Sequence, residues 1–177
     1  ALSRRLTARA GKLPEEFVQC GQDSVLRWCV VLQDYTPKEA EKFLNGMKFD
    51  RATLKRVCLL LERIAEDAPV EPYPMRKLAG ETGEEAVFQF LALQGILRPD
   101  SGHEESRRIL QEILAAGDCL TLKTLAFTGK DLMEMGVPAG KEIGRILGAL
   151  LDAVQREPAR NTREVLAAEA ERLIKDL

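Results

Sequence analysis

Gly140, Lys141 and Arg145 open the stretch GKEIGRILGALLDAV, with two cations one helical turn apart behind a glycine. Free backbone N–H groups at a helix start, flanked by positive charge, make a seat for a phosphate. Lys130 stands just upstream, and Arg160 and Arg163 stand at the start of the last helical stretch. Lys130, Gly140, Lys141, Arg145, Arg160 and Arg163 are therefore the candidate phosphate contacts. The same residues also fit the solvated basic edge of an ordinary helical hairpin, and local chemistry leaves both readings open.

Catalytic and metal chemistry is harder to find. Two-metal phosphoryl transfer needs clustered carboxylates on a rigid frame. The paired acids Glu84–Glu85 and Glu104–Glu105 are sequence neighbours, so on a helix their side chains diverge by about 100°. His103 is the single histidine, set in a Gly/Ser/Glu stretch, and reads as a solvated loop residue. Cys20, Cys29, Cys58 and Cys119 are dispersed with no C-x-x-C pair, and Cys29 and Cys58 fall in apolar helical patterns as reduced core thiols. No catalytic residue and no metal ligand is expected here.

The elements that position the cations follow from start and stop signals. Thr128 caps a helix over Lys130–Met135, with Asp131 in the capping-box position, and Gly136 supplies a left-handed stop. After the turn Val137–Gly140, a longer helix buries Ile143, Ile146, Leu147, Leu150 and Val154 and turns Lys141 and Arg145 away from them. Upstream, Asp23–Ser24 caps Val25–Asp34, and Thr36-Pro37-Lys38-Glu39 is a strong helix start. Asp50 caps Arg51–Ala65, whose inward stripe is Leu54, Val57, Cys58, Leu61 and Ile64. The three prolines from Pro69 to Pro74 predict an extended Ala68–Pro74 and a boundary between 1–70 and 71–177. Beyond it, Pro74–Ala79 and Glu84–Gln94 read as helices broken at Gly80 and Gly83. Pro99–Gly102 reads as a loop, and Glu104–Ala116 as a helix with Ile109, Leu110 and Ile113 inward. The final helix follows Asn161, has Glu164 three residues later, and lines up Leu166, Ala170, Leu173 and Leu177. No useful period-2 pattern occurs, so the fold is all-α and multi-helical: two packed helical subdomains, with a helix-hairpin-helix-like element in the second.

Composition narrows the class. With 45% apolar and 31% charged residues the chain is an ordinary globular protein, and its 5% of aromatics, with Leu and Ala in their place, favours helices over sheets. No apolar run approaches the ~18 residues of a membrane span. The net charge of −2 hides an asymmetry: residues 1–63 carry 12 basic and 8 acidic side chains, residues 64–119 carry 5 and 11. That balance argues against a general coat for nucleic acid and leaves room for local basic patches. A cytoplasmic protein is the simplest account of the cysteines.

The stretch 120–166 contains GKDL, GVPAG, IGRIL and NTRE in that order, and LRWCVVLQDYTPKEAEKFLNGMKFDRATLKRVCLLLE precedes it. In this it resembles the C-terminal body and tail of bacterial tRNA nucleotidyltransferases, the CCA-adding and poly(A) polymerase-like family. The resemblance is dense over 120–170 and looser over 25–65. It implies a region that holds the tRNA acceptor arm and elbow by shape and phosphate contacts, as suits duplex RNA. The tRNA and the family's N-terminal head and neck are then the partners. Magnesium with CTP or ATP belongs to that head, no cofactor is bound by this chain, and the chain is expected to be inactive alone. No glycine-serine turn followed by D-x-D is found, and Gln33–Asp34 stands where some relatives carry a His-Asp metal pair. Residues 1–12, with Arg4, Arg5 and Arg9 as further cations, read as the edge of a longer protein. Gly140, Gly144 and Gly148 recur every four residues, for close packing within the domain or for close approach of RNA or a partner helix. Two other readings stay open: a non-enzymatic helical protein-interaction module, and a stand-alone DNA-binding helix-hairpin-helix protein suggested by GVPAGK. Whether CCA, CC, A or poly(A) is added would be decided in the head.

Overall fold

Aspartate and threonine caps start three consecutive helices in the first half of the chain. The computed structural model describes residues 15–175. Its first helices are α1 (Glu16–Gln19), α2 (Ser24–Leu32), α3 (Pro37–Gly46) and α4 (Arg51–Glu62). Asp23 accepts from the Val25 and Leu26 N–H groups at 2.8 and 3.0 Å, and Asp50 does the same for Ala52 and Thr53. Thr36 and Glu39 close a full capping box ahead of Pro37. The remaining helices are α5 (Pro72–Thr82), α6 (Glu84–Leu97), α7 (His103–Ala116), α8 (Gly129–Glu134), α9 (Lys141–Arg156) and α10 (Arg163–Lys175), with a 3-10 turn at Pro158–Arg160. The fold is all-α, and no strand occurs among the described residues.

The chain forms two compact units whose segments alternate along the sequence. Among the described residues one comprises the chain up to 70 with 84–107, the other 71–83 with the chain from 108 onward. The first passage from one unit to the other falls at 70/71, and 84–107 groups with the first unit.

In the first unit Cys29, Val30, Leu32, Ala40, Leu44 and Val57 are fully buried. Trp28 meets Phe49 edge-on, ring centres 5.0 Å apart, and lies tilted against Phe43 at 6.0 Å. Gln89 of α6 ties two elements together, accepting from Arg56 at 2.8 Å and donating to Asp23 at 2.9 Å. The four cysteines are free thiols, and burial pushes those of Cys20, Cys29 and Cys58 upward, toward the protonated form. Helix α4 stops at Glu62, short of Ala65, and buries Leu60, which the stripe omitted. His103 is not a solvated loop residue. It is the first residue of α7, its side chain is only 15% exposed, and its ring lies on Gly95, where an added Cβ would come within 2.7 Å of Nε2.

The second unit departs from expectation at its prolines and glycines. Helix α5 begins at Pro72, so 72–74 is not extended. Prolines are tolerated in a first turn because the N–H groups they lack would have no intrahelical partner. The helix also runs through Gly80 and ends only at Gly83, which adopts φ +86°. Gly80 serves a contact instead: a Cβ there would lie 2.2 Å from the Leu120 carbonyl oxygen. Leu132, Ile146, Leu150, Val154, Leu166 and Ala170 form the centre of this unit's core. The last helix is capped by Thr162, whose carbonyl accepts from Leu166 and whose hydroxyl accepts from Val165, and not by Asn161. Leu173 packs against the core, while Leu177, like Arg4, Arg5 and Arg9, lies outside the described residues.

Candidate nucleic-acid interface

The hairpin that carries the cations is fixed at its start by a reciprocal cap. Asp131 accepts from the Thr128 N–H at 2.8 Å and hydroxyl at 2.6 Å, and the Asp131 N–H donates back to Thr128 at 3.4 Å. These hydrogen bonds, with the Arg163 guanidinium on the other carboxylate oxygen, hold the Asp131 carboxyl below its ordinary range. Gly129 brings α8 onto α9, since a Cβ there would meet Ile143 at 3.0 Å. Gly136 takes φ +91° and lets the Val137 N–H reach back to the Leu132 carbonyl at 3.0 Å, a left-handed helix stop.

Helix α9 then buries Ile146, Leu150 and Val154, with Ile143 and Leu147 partly buried beside them. Its other side carries Gly140, Lys141, Gly144, Arg145 and Gly148, all exposed. A Cβ at Gly144 or Gly148 would meet nothing within 4 Å, so close packing inside the unit does not explain these glycines.

The candidate cations differ in how they are held. Arg145 pairs with Glu142 at 3.0 Å, Arg160 with Glu157 at 2.8 Å, and Lys130 more loosely with Glu134 at 3.8 Å. Arg163 binds Asp131 and ties the start of α10 to the cap of α8. Lys141 has no carboxylate partner among the described residues. The structure adds Lys123, exposed and likewise without a carboxylate partner among them. Sequence reading passed it over because LKTL belongs to no helical period. Two side chains brace the loop around it: Gln155 donates to the Leu120 carbonyl at 2.9 Å, and Asn161 accepts from Ala126 at 2.8 Å and donates to Thr124 at 3.2 Å.

A second polar group lies at the other end of α9. Tyr73 donates its hydroxyl to Asp152 at 2.6 Å, Arg156 donates at 3.0 Å and Lys77 lies at 3.4 Å. The Tyr73 hydrogen bond, backed by the two cations, lowers the Asp152 carboxyl from its ordinary value. The Arg156 guanidinium also lies over the Tyr73 ring, 4.2 Å from its centre. Nearby, Arg76 spans Asp118 at 2.6 Å and the Gln155 carbonyl at 3.0 Å, satisfying a carbonyl of the last turn of α9. Among the described residues no three His, Cys, Asp or Glu side chains stand together as metal ligands, and no helix is long and apolar enough to cross a membrane.

The arrangement offers exposed cations, a 16-residue helix opening at Gly140 and a bare helix face, which suit a polyanion held along its backbone. No curated protein and no solved structure matches the chain. The family described as tRNA nucleotidyltransferase domain 2 matches residues 22–170, spanning most of both units. The chain belongs to that family.

Proposed function

We propose that this chain is the tRNA-binding body and tail of a tRNA nucleotidyltransferase, which holds the acceptor arm and elbow while a head domain adds CCA, or part of it. The family match over 22–170 carries the reading. In this reading Lys141 and the first turn of α9 meet phosphate, Lys130, Arg145, Arg160 and Arg163 add charge around them, and Lys123 joins them. The head would supply magnesium and bind CTP or ATP, in a cytoplasmic enzyme. The carboxylate pairs on four of these cations have a consequence: each must be shared or opened when a phosphate arrives, so Lys141 contributes most per residue.

The test is tRNA affinity at several salt concentrations for wild type and the Lys141→Ala/Arg145→Ala variant. For an RNA strand, log K falls with log salt by about 0.7 to 0.9 per phosphate neutralised, so the variant should lose about 1 to 2 from the slope's magnitude. Circular dichroism checks the fold, which should survive because both side chains are exposed. An unchanged slope and affinity in a folded variant would return these residues to a solvated edge. The neutralising carboxylates favour one other reading, a protein-interaction module, which a wild type with no salt-dependent tRNA binding would support.

A further inference from the structure

A cleft of about 400 Å³ opens within the second unit, between α5, α9 and residues 120–122. Lys77, Leu122, Gly148, Leu151, Asp152 and Gln155 line it, with Glu81 at the α5 edge. Gln155 is only 5% exposed, and the hydrogen bond from its Nε2 to Leu120 fixes the amide. No described group donates to its Oε1, which leaves a fixed acceptor in the lining. An ionised carboxylate has about four acceptor positions. Asp152 fills three of them, with Tyr73, Lys77 and Arg156, and one remains. Lys77 has three N–H donors and gives one to Asp152. Leu122 and Leu151 supply apolar surface, and at Gly148 nothing stands above the helix backbone.

An acceptor without a donor, a cation with donors to spare, an apolar floor and a bare backbone together describe what a sugar phosphate needs. We infer that this cleft holds a ribose-phosphate unit of an RNA strand, its 2′-hydroxyl donating its one proton to the Gln155 acceptor and Lys77 meeting a phosphate oxygen. The inference rests on the RNA-binding reading above and adds a feature that phosphate contacts cannot supply. A 2′-hydroxyl distinguishes RNA from DNA, whereas cations on phosphates do not.

The experiment uses the 177-residue chain and two fluorescent probes, a tRNA transcript and its all-deoxy counterpart. Gly148→Leu fills the cleft at a position with open space and replaces glycine by a better helix former, so folding is retained. Wild type should prefer RNA by about three- to tenfold, the range of one net hydrogen bond. Gly148→Leu should abolish that preference and weaken the DNA probe no more than Lys77→Ala does, while Lys77→Ala should weaken both probes alike and keep the preference. Equal affinity of wild type for the two probes, or a preference that survives Gly148→Leu, overturns the inference. Salt-dependent tRNA binding with no RNA preference removes this inference alone, and no binding of either probe removes the RNA-binding reading with it. Displacement of the tRNA by ribose 5-phosphate alone would assign the cleft to free sugar phosphates and overturn the strand.

Discussion

Gly80 and Gly148 are both glycines inside well-formed helices of the second unit, and they do opposite things. At Gly80 a single methyl would run into the Leu120 carbonyl at 2.2 Å, so the missing side chain lets α5 and the 120–122 segment touch. At Gly148, and at Gly144 one turn earlier, a methyl would meet nothing. An interior glycine costs a helix about 0.5 to 1 kcal/mol relative to alanine. Around Gly80 internal contact offsets that cost, and on α9 no contact within the unit does. The polar groups divide the same way. Arg76 and Asp118, near the packed glycine, are 13% and 10% exposed, whereas Arg145 and Glu142, on the open face, are 61% and 46% exposed. Packing within the unit accounts for one region and not for the other.

The largest expected effect lies on the packed side. Arg76→Met leaves Asp118 and the Gln155 carbonyl without their donor and should destabilise by about 2 to 4 kcal/mol, toward the low end for a broken buried pair because water still reaches it. Urea titration measures the loss, and a change below 0.5 kcal/mol would show that this side is not held as described. Gly80→Ala should cost about 1 to 3 kcal/mol through overpacking against a backbone carbonyl that cannot swing aside. If it is neutral or stabilising, the contrast between the two glycine sites collapses.

On the open side the sign reverses. Gly144→Ala with Gly148→Ala should raise stability by about 1 to 2 kcal/mol, seen as a higher urea midpoint at unchanged slope. A destabilised double variant would mean that the face is packed after all. The smallest effect comes from acid. The Asp131 and Asp152 carboxyls are depressed in the fold, so their stabilisation is present above the ordinary carboxylate pKa of about 4 and is lost as pH falls through the depressed values. Wild type should therefore lose stability below about pH 4 more steeply than Asp131→Asn, and parallel acid curves would contradict the sharing of that carboxylate.

How much of this could be read from the residues depended on range. Thr36 with Glu39 and Thr128 with Asp131 announce themselves because a capping box is written within four residues. The buried stripe of α9 is equally plain, since its spacing repeats over about three turns. Gly80 looked like a break because its reason, the Leu120 carbonyl, lies forty residues away. Asn161 looked like a cap because its real partners, Thr124 and Ala126, belong to a loop without a period. His103 looked solvated for the same cause, with Gly95 hidden on the preceding helix. At the candidate site the cations were legible as residue types, but their carboxylate partners, Lys123 and the Gln155 amide were not. A charge pattern does not show which charges are already answered.

One carboxylate, that of Asp131, closes the start of α8 with one oxygen and grips Arg163 at the start of α10 with the other. Two helix ends far apart in the chain thus share a single fastener, and neither can fray without loosening the other. In amide hydrogen exchange the protected N–H of Asp131 and those of the first turn of α10 should report one opening event, with the same free energy and the same denaturant dependence. Asp131→Asn, which keeps the shape but weakens both grips, should accelerate the two ends together and leave the middle of α9 unchanged.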